Sequence, residues 1–333
     1  MLLRIISSVL LKSPRFPRAS VTSRGGTPYL MTGFNEHERS SRGWLSQIRV
    51  GLSAQIQTRK ALHHLHCRTF CSESEACSAS PGLWDSVRAD QEEILKSPYL
   101  PACFAFLTHV VFCVPFFFMD MLSYVCPQIR SRRIAPDSAQ VPAPSPRLWM
   151  ECLGRLTLRY VTVVLPAVVM LQCILKSPVL PERAPSWYCL CGEVLACLLL
   201  FDTFFFAYHV SVHKFSWLYR NVHQEHHQQN RALFALAAQD GSSVELLSLL
   251  LLALMCTWLV GCHPLSEATF HLLNTWLAVE DHCGYDLPMG LHRFFSKWGL
   301  GGALFHQTHH TKPNWNYAPY FTHWDLLFGT YRE

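Results

Sequence analysis

The chain has 333 residues, of which 50% are apolar, 13% aromatic and only 15% charged. A typical globular protein has roughly 25% charged residues, so this composition excludes extensive disorder and argues against an ordinary soluble protein. The net charge of +5 is uneven, because residues 1–80 hold 11 Lys and Arg against 4 Asp and Glu, which leaves 17 against 19 downstream. The basic excess belongs to the first quarter of the chain, and no nucleic-acid partner is expected from it.

Residues 1–82 form a predicted N-terminal tail. This stretch is rich in Ser and Arg, has no acidic residue before Glu36 and shows no sustained apolar period. Such a composition is typical of disorder. The first 25 residues are basic and acid-free like a mitochondrial transit peptide, although a solvated tail with no role in the fold is the favoured interpretation.

Residues 83–333 predict a membrane-embedded helical domain. Residues 102–125, 156–175 and 187–210 are each long and apolar enough to cross roughly 30 Å of hydrocarbon as a helix. A fourth region, 244–279, has two shorter arms that break at His263 and Pro264, which favours a hairpin that dips into the membrane and returns. The predicted fold class is therefore an all-α, polytopic membrane bundle, with the polar and His-rich residues after 279 forming a cap outside the hydrocarbon.

The basic residues after the first span predict the orientation of this bundle. Arg130, Arg132 and Arg133 belong in the cytosol by the positive-inside rule, and two further spans return the chain to that side. The basic tail then lies on the opposite side, which conflicts with the same rule. Either the tail is removed or dispensable, or residues 102–125, bent at Pro115, form a re-entrant pair.

Histidine is concentrated in the C-terminal part of the chain, where 13 of the 18 lie between His209 and His323. Three boxes stand out, H-V-S-V-H, H-Q-E-H-H and H-Q-T-H-H, and on helices the members of each box share one face. Eight imidazoles exceed what one tetrahedral zinc ion can use and suffice for two metal ions. The predicted ligands are His209, His213, His223, His226, His227, His306, His309 and His310.

The ligand type narrows the choice of metal. No cysteine is interleaved among these histidines, which disfavours structural zinc, thiolate copper and iron–sulfur sites. An all-nitrogen site beside a membrane suits two non-haem irons that activate O₂, and zinc in a hydrolytic site is the competing interpretation.

The three boxes, in this order around apolar spans, resemble the fatty acid hydroxylase and sterol desaturase superfamily of membrane di-iron enzymes. The segments W-L-Y-R-N-V-H-Q-E-H-H at 217–227, V-E-D-H-C-G-Y at 279–285 and N-Y-A-P-Y-F-T-H-W-D at 316–325 are closest to its sterol-hydroxylating members. The likeness covers about 250 residues, from Leu83 to the C-terminus.

This resemblance implies a multi-pass monooxygenase of the endoplasmic reticulum that hydroxylates the side chain of a sterol, with cholesterol as the expected substrate. It implies O₂ and a di-iron centre held by the eight histidines, with His282 as a ninth ligand and no further catalytic side chain. Cys283 stands where the family usually has Ser. His271 and Asp202 are candidates for supporting the ligands from outside, and His271 is equally well explained as a tenth ligand or a plain buried residue.

The electron supply points to a separate partner. The chain contains neither G-x-G-x-x-G nor C-x-x-C-H, so electrons from reduced nicotinamide must arrive through a redox protein. The predicted docking surface is the cytosolic cap around Arg293, Lys297 and Lys312. Three alternatives remain open: a desaturase or methyl oxidase of the same superfamily, a zinc-dependent membrane hydrolase, and a non-catalytic sterol or metal sensor.

Overall fold

The computed structural model describes residues 81–134, 142–175, 180–229 and 233–333, which belong to one compact unit, Ala76–Glu333. In these ranges every regular element is helical, and extended pairing is limited to two isolated bridges, Arg133–Tyr285 and Leu300–Phe321. The predicted all-α class is confirmed, while nearly all of the predicted tail lies outside the described residues. The longer helices are α1 (Pro81–Asp90), α2 (Leu100–Ser123), α3 (Pro146–Arg159), α4 (Leu165–Leu175), α5 (Trp187–Lys214), α6 (Ser243–Val260), α7 (Pro264–His282), α8 (Gly302–Thr311) and α9 (His323–Phe328).

Single helical turns connect these elements. α-Helical turns lie at Glu92–Leu95, Pro127–Arg130, Ser216–Leu218 and Leu291–Phe294, and 3₁₀ turns at His226–Gln229, Ala235–Gln239 and Ser296–Trp298. π-Helical turns lie at Tyr160–Val164, where they join α3 to α4, and at Tyr219–His223.

Four helical stretches are long and apolar enough to cross a membrane: Leu100–Ser123, Pro146–Ile174, Trp187–Lys214 and Ser243–Val260. The three predicted spans fall within, or within two residues of, the first three of these stretches, so the multi-pass bundle is confirmed. The hairpin over 244–279 stays a prediction, and its first arm, α6, has 18 residues with a mean hydropathy of 2.1, which is long and apolar enough to cross. Its partner α7 is broken by more polar residues and does not qualify by length and composition.

The second span begins ten residues earlier than predicted because two arginines near its start are neutralised by tertiary contacts. Arg155 Nη2 lies 2.5 Å from Asp240 Oδ2, and Arg159 Nη1 lies 3.0 Å from Asp240 Oδ1. Arg159 also pairs with Glu225, between two of the predicted ligands. Ser145 begins the helix as its N-cap, accepting the Leu148 N–H. Sequence polarity at 155 and 159 therefore marks a partly buried ion-pair network rather than the start of a span.

The α6–α7 turn lies at the end of the bundle where α5 begins. Gly261 ends α6 in a left-handed conformation with φ 78°, and His263 caps α7 by accepting the Leu265 N–H at 3.1 Å. The His263 N–H donates to Glu193 Oε2 at 3.0 Å, and its ring lies against Trp84 of α1. Helices α5 and α7 begin at this end and run toward the histidine boxes. Helix α6 begins near the boxes and ends here.

A buried polar network fixes the opposite end of α2. The Asp120 carboxylate accepts hydrogen bonds from Arg133 Nη1 at 2.9 Å, Trp149 Nε1 at 3.0 Å and the Tyr285 hydroxyl at 2.7 Å. Arg133 also donates to the Leu233 carbonyl at 3.1 Å. This carboxylate ties α2 and α3 to the segment that follows α7. The same segment leads to the third histidine box.

Candidate metal centre

The structure brings the nine predicted histidines into two adjacent clusters at one end of the bundle, and within each the potential ligand atoms lie within 4.8 Å of one another. The five-histidine cluster consists of His209, His213, His223, His227 and His309. The four-histidine cluster consists of His226, His282, His306 and His310. The two clusters adjoin, since the ring centroids of His227 and His310 are 4.6 Å apart.

Each H-x-x-H-H box contributes to both clusters. In the second box His223 and His227 join the five-histidine cluster while His226 joins the other, and in the third box His309 separates from His306 and His310 in the same way. Positions i and i+4 of a helix nearly superpose, whereas i+3 is rotated by about 100° from i+4. The prediction of one shared face is therefore too coarse.

The second box also departs from the predicted α-helix. A π-helical turn ends at His223 and a 3₁₀ turn begins at His226. This change of pitch lets three nearby imidazoles point toward two centres. The third box lies on α8, a regular helix that the sequence spacing predicts well.

Imidazole Nε2 atoms approach one another closely in the five-histidine cluster. His223 Nε2 lies 3.0 Å from His209 Nε2 and 2.9 Å from His227 Nε2, and His227 Nε2 lies 3.2 Å from His309 Nε2. The Nε2 of His213 is buried and has no hydrogen-bond partner among the described residues. Two nitrogens bound at right angles to one ion, each about 2.1 Å away, would lie about 3 Å apart, so these separations fit a shared metal.

The four-histidine cluster repeats this arrangement. His282 Nε2 lies 3.2 Å from His226 Nε2 and 3.0 Å from His306 Nε2, and His306 Nε2 lies 3.0 Å from His310 Nε2. His282 is thus placed with the boxes as the resemblance implied. Its neighbour Cys283 is buried, with its sulfur 3.4 Å from the backbone of Tyr285.

The outer ring nitrogens show that these approaches are not ordinary hydrogen bonds. His209 Nδ1–H donates to the Tyr317 carbonyl at 2.6 Å, and His309 Nδ1–H donates to the Trp315 carbonyl at 2.8 Å. A carbonyl oxygen only accepts, so each ring proton lies on Nδ1 and each Nε2 carries a lone pair. The His282 ring is fixed in the same way by the Ala278 carbonyl at 2.8 Å.

Glu245 fixes the tautomer of the central histidine. Its Oε1 accepts from His223 Nδ1 at 2.6 Å, so the His223 and His209 Nε2 lone pairs face each other across 3.0 Å. Such lone pairs repel unless a cation lies between them. The donor set therefore fits a pair of metal ions.

Burial keeps these rings neutral. It lowers the pKa of His227 to about 4, so that this ring is uncharged at neutral pH. Neutral imidazole is the form that binds metal ions. Burial, reinforced by the neighbouring histidines, holds the pKa well below its ordinary value at His223, His226, His306, His309 and His310.

Sequence reasoning missed Glu245, which lies in the first turn of α6 and is 4% exposed. A signal for it exists, because it is the single acidic residue of an apolar 18-residue arm. Ionisable groups in such segments are costly and usually functional.

Asn316 is the second residue whose role was missed. It adopts a left-handed φ of 56°, a conformation that no other non-glycine residue of the described ranges shares. Its side chain donates to the carbonyls of Phe305, at 3.1 Å, and Arg332, at 2.8 Å. The carbonyls on either side of it are those that bind His309 and His209. The sequence offered only the resemblance of the 316–325 segment as a signal.

The two predicted supporting residues lie outside the clusters. Asp202 accepts the backbone N–H groups of Tyr320, at 3.1 Å, and Phe321, at 3.0 Å, which ties α5 to the C-terminal segment. His271 lies on α7 and lines a cavity beside the clusters. Of the predicted docking residues, Arg293 pairs with Asp286 at 2.6 Å and is exposed. Lys297 and Lys312 are exposed as well.

A cavity of about 120 Å³ lies between the clusters and helices α5, α6 and α7. The histidines His209, His223, His226, His282 and His306, drawn from both clusters, form one end. Phe201 and Phe205 of α5 and Leu246, Leu250 and Ala253 of α6 line its walls. A mostly apolar cavity that ends on a metal-ligand set is the expected form of a site for a lipophilic ligand.

Comparison with known proteins places the chain among membrane hydroxylases. The fatty acid hydroxylase family profile matches residues 194–330. Human cholesterol 25-hydroxylase is 44% identical over 250 residues, which is 75% of this chain and 89% of the human protein. The mouse enzyme is 43% identical over 251 residues, covering 75% and 82%. A cholesterol 25-hydroxylase-like protein of Danio rerio is 40% identical over 248 residues, covering 74% and 96%. No solved structure matches the chain significantly.

Proposed function

Because the chain belongs to the cholesterol 25-hydroxylase family of oxidoreductases, we propose that it hydroxylates the side chain of cholesterol at carbon 25. The catalytic domain in this proposal is residues 83–333, a multi-pass domain of the endoplasmic reticulum membrane, and residues 1–82 are a tail outside it. The observation that carries the proposal is an apolar cavity whose end is formed by histidines of both clusters.

The five-histidine cluster would hold one iron and the four-histidine cluster the other, with His282 as the ninth ligand. Five imidazoles exceed the four ligands of a tetrahedral zinc site, and the absence of thiolate from either cluster also favours iron. When bound, the irons supply the activation of O₂ needed to oxidise an unactivated carbon.

The protein's own groups orient and isolate the reacting carbon. Carbonyl groups hold the ring tautomers of His209, His282 and His309, and Glu245 holds that of His223, so the inward nitrogens of these four rings are ready to bind metal without a proton being released. Phe201 and Phe205 keep the approach apolar and limit the access of water. A reduced redox partner fed by NAD(P)H would dock on the exposed cap around Arg293, Lys297 and Lys312.

The test is incubation of membranes containing the full chain with labelled cholesterol, O₂ and NADPH, followed by identification of the oxysterols. Wild-type protein should form 25-hydroxycholesterol, and His309→Ala should abolish it. His323→Ala is the matched control, because the His323 side chain is 48% exposed and lies outside both clusters.

Three results would contradict the proposal. Iron-loaded, well-expressed protein that leaves cholesterol unchanged would refute the substrate, and a new double bond in place of a hydroxyl would indicate a desaturase. Stoichiometric zinc without iron in active protein would favour a hydrolase.

A further inference from the structure

One face of α7 connects the metal centre to the far end of the cavity. His271, Asn274, Thr275, Ala278 and His282 follow one another at helical spacing and all line the cavity. His271 precedes His282 by 11 residues, so at 1.5 Å per residue it lies about 16 Å from His282 along the helix. The cavity therefore has metal ligands at one end and a single imidazole near the other.

The His271 ring, which belongs to the lining of this mostly apolar cavity, has an unsatisfied polar atom. Its Nε2 is buried and has no hydrogen-bond partner among the described residues. Glu267 Oε1 is the nearest carboxylate oxygen at 4.0 Å, beyond hydrogen-bonding distance. A buried polar group without a partner is costly, and a ligand hydroxyl that hydrogen-bonds to it would remove that cost.

Asn274, a neighbouring polar residue of this face, is already engaged. The Tyr320 hydroxyl donates to Asn274 Oδ1 at 2.9 Å. The walls beside His271 come from α5 and α6 and are apolar, with Phe201 and Ala253 among them. A ligand that fits must be long, apolar and polar at one end.

Cholesterol has this form. It carries one hydroxyl group, and carbon 25 of its extended side chain lies roughly 16 Å from that oxygen, since each carbon–carbon bond advances about 1.3 Å. We propose that His271 binds the sterol 3-hydroxyl, and that this contact places carbon 25 at the histidine clusters. The inference rests on the proposed function and adds the residue that sets the register of the substrate.

The test compares cholesterol with cholest-5-ene, which lacks only the hydroxyl. Wild-type protein in membranes should prefer cholesterol about 10-fold in kcat/KM, because the analogue leaves the imidazole unpaired. His271→Leu should lower kcat/KM for cholesterol about 10-fold, leave that for cholest-5-ene within about 2-fold, and spread the hydroxylation over carbons next to 25. His271→Gln, which can still hydrogen-bond, should retain part of the preference.

Two controls distinguish a changed position of the bound sterol from a general loss of folded protein. Leu272→Ala alters the adjacent residue, which is 37% exposed and absent from the cavity lining, and should keep the wild-type ratio and product. In metal-free membranes, unlabelled cholesterol should displace bound labelled cholesterol better than cholest-5-ene from wild type but not from His271→Leu.

Failure of the proposed hydroxylase function and failure of the His271 role give different results. If wild-type protein hydroxylates neither sterol, the proposed function fails, and the role of His271 fails with it. If wild-type protein hydroxylates both sterols with equal kcat/KM, or if His271→Leu lowers both equally without changing the product, only the role of His271 is refuted.

Discussion

Replacing Glu245 by Gln should weaken metal binding without disturbing the bundle. The carboxylate accepts from His223 Nδ1 at 2.6 Å and is 4% exposed, so water does not screen the contact. Glutamine preserves the shape and an acceptor oxygen but removes the negative charge that makes His223 a better electron donor to a metal ion.

The magnitude follows from the kind of hydrogen bond that is lost. Bonds to charged groups contribute about 1.5–3 kcal/mol and neutral ones about 0.5–1.5 kcal/mol, a difference of about 1–2 kcal/mol. At 1.4 kcal/mol per tenfold, iron should bind about 5- to 30-fold more weakly. That range overlaps the 10- to 100-fold usually lost with such supporting partners.

The assay is competition for ferrous iron between the purified full chain in detergent and a chelator of known affinity, together with sterol turnover at saturating iron. Glu151→Gln is the matched control, since it makes the same exchange at a carboxylate whose side chain is 47% exposed and pairs with Arg147. Wild-type iron affinity in Glu245→Gln would refute the argument that this carboxylate tunes His223.

Further variants test the clusters and their supports. His309→Ala and His310→Ala should each reduce bound iron from about two ions per chain toward one, measured by elemental analysis, because they belong to different clusters. Asn316→Ala should lower both iron content and the thermal midpoint, since it strains a φ of 56° and removes two side-chain donor bonds, and Asn316→Gly should fall between it and wild type. Asp120→Asn should cost about 3 kcal/mol of stability by leaving the buried Arg133 without its countercharge, while activity per folded molecule is unchanged.

Hydropathy was sufficient for the fold, and spacing singled out eight of the nine histidines that the structure brings together, while His282 was found through the resemblance. Long apolar runs leave few options other than membrane helices, so the three predicted spans agree with α2, the continuous α3–α4 stretch and α5. The 155–159 region was misjudged because the sequence cannot show that Asp240 and Glu225, far along the chain, neutralise its two arginines. A charged residue therefore marks the limit of a membrane span only if no opposite charge pairs with it in the fold.

The division of the boxes between two clusters was only partly accessible from the sequence. Helical spacing accounts for it in the third box, on the regular helix α8, but in the second box the change from π to 3₁₀ geometry between His223 and His226 alters the angle that spacing would give. The carbonyl groups that fix His209 and His309 have no side-chain signature at all. The backbone of Asn316, held in a conformation that Asn tolerates better than most residues, positions them together with the Tyr317 N–H bond to Asp325 Oδ1.

Three polar residues of the apolar α6–α7 hairpin, Glu245, His271 and His282, contact either the histidine clusters or the cavity. The hairpin leaves the histidine end at Glu245 and returns to it at His282, so both of its ends contact the clusters. Between these ends, His271 lines the cavity. Each of these groups is expensive to bury, and Glu245 and His282 recover part of that cost through hydrogen bonds to His223 and to the Ala278 carbonyl. The Nε2 of His271 has no such bond among the described residues, which is the physical reason to expect that a hydroxyl of the substrate completes it.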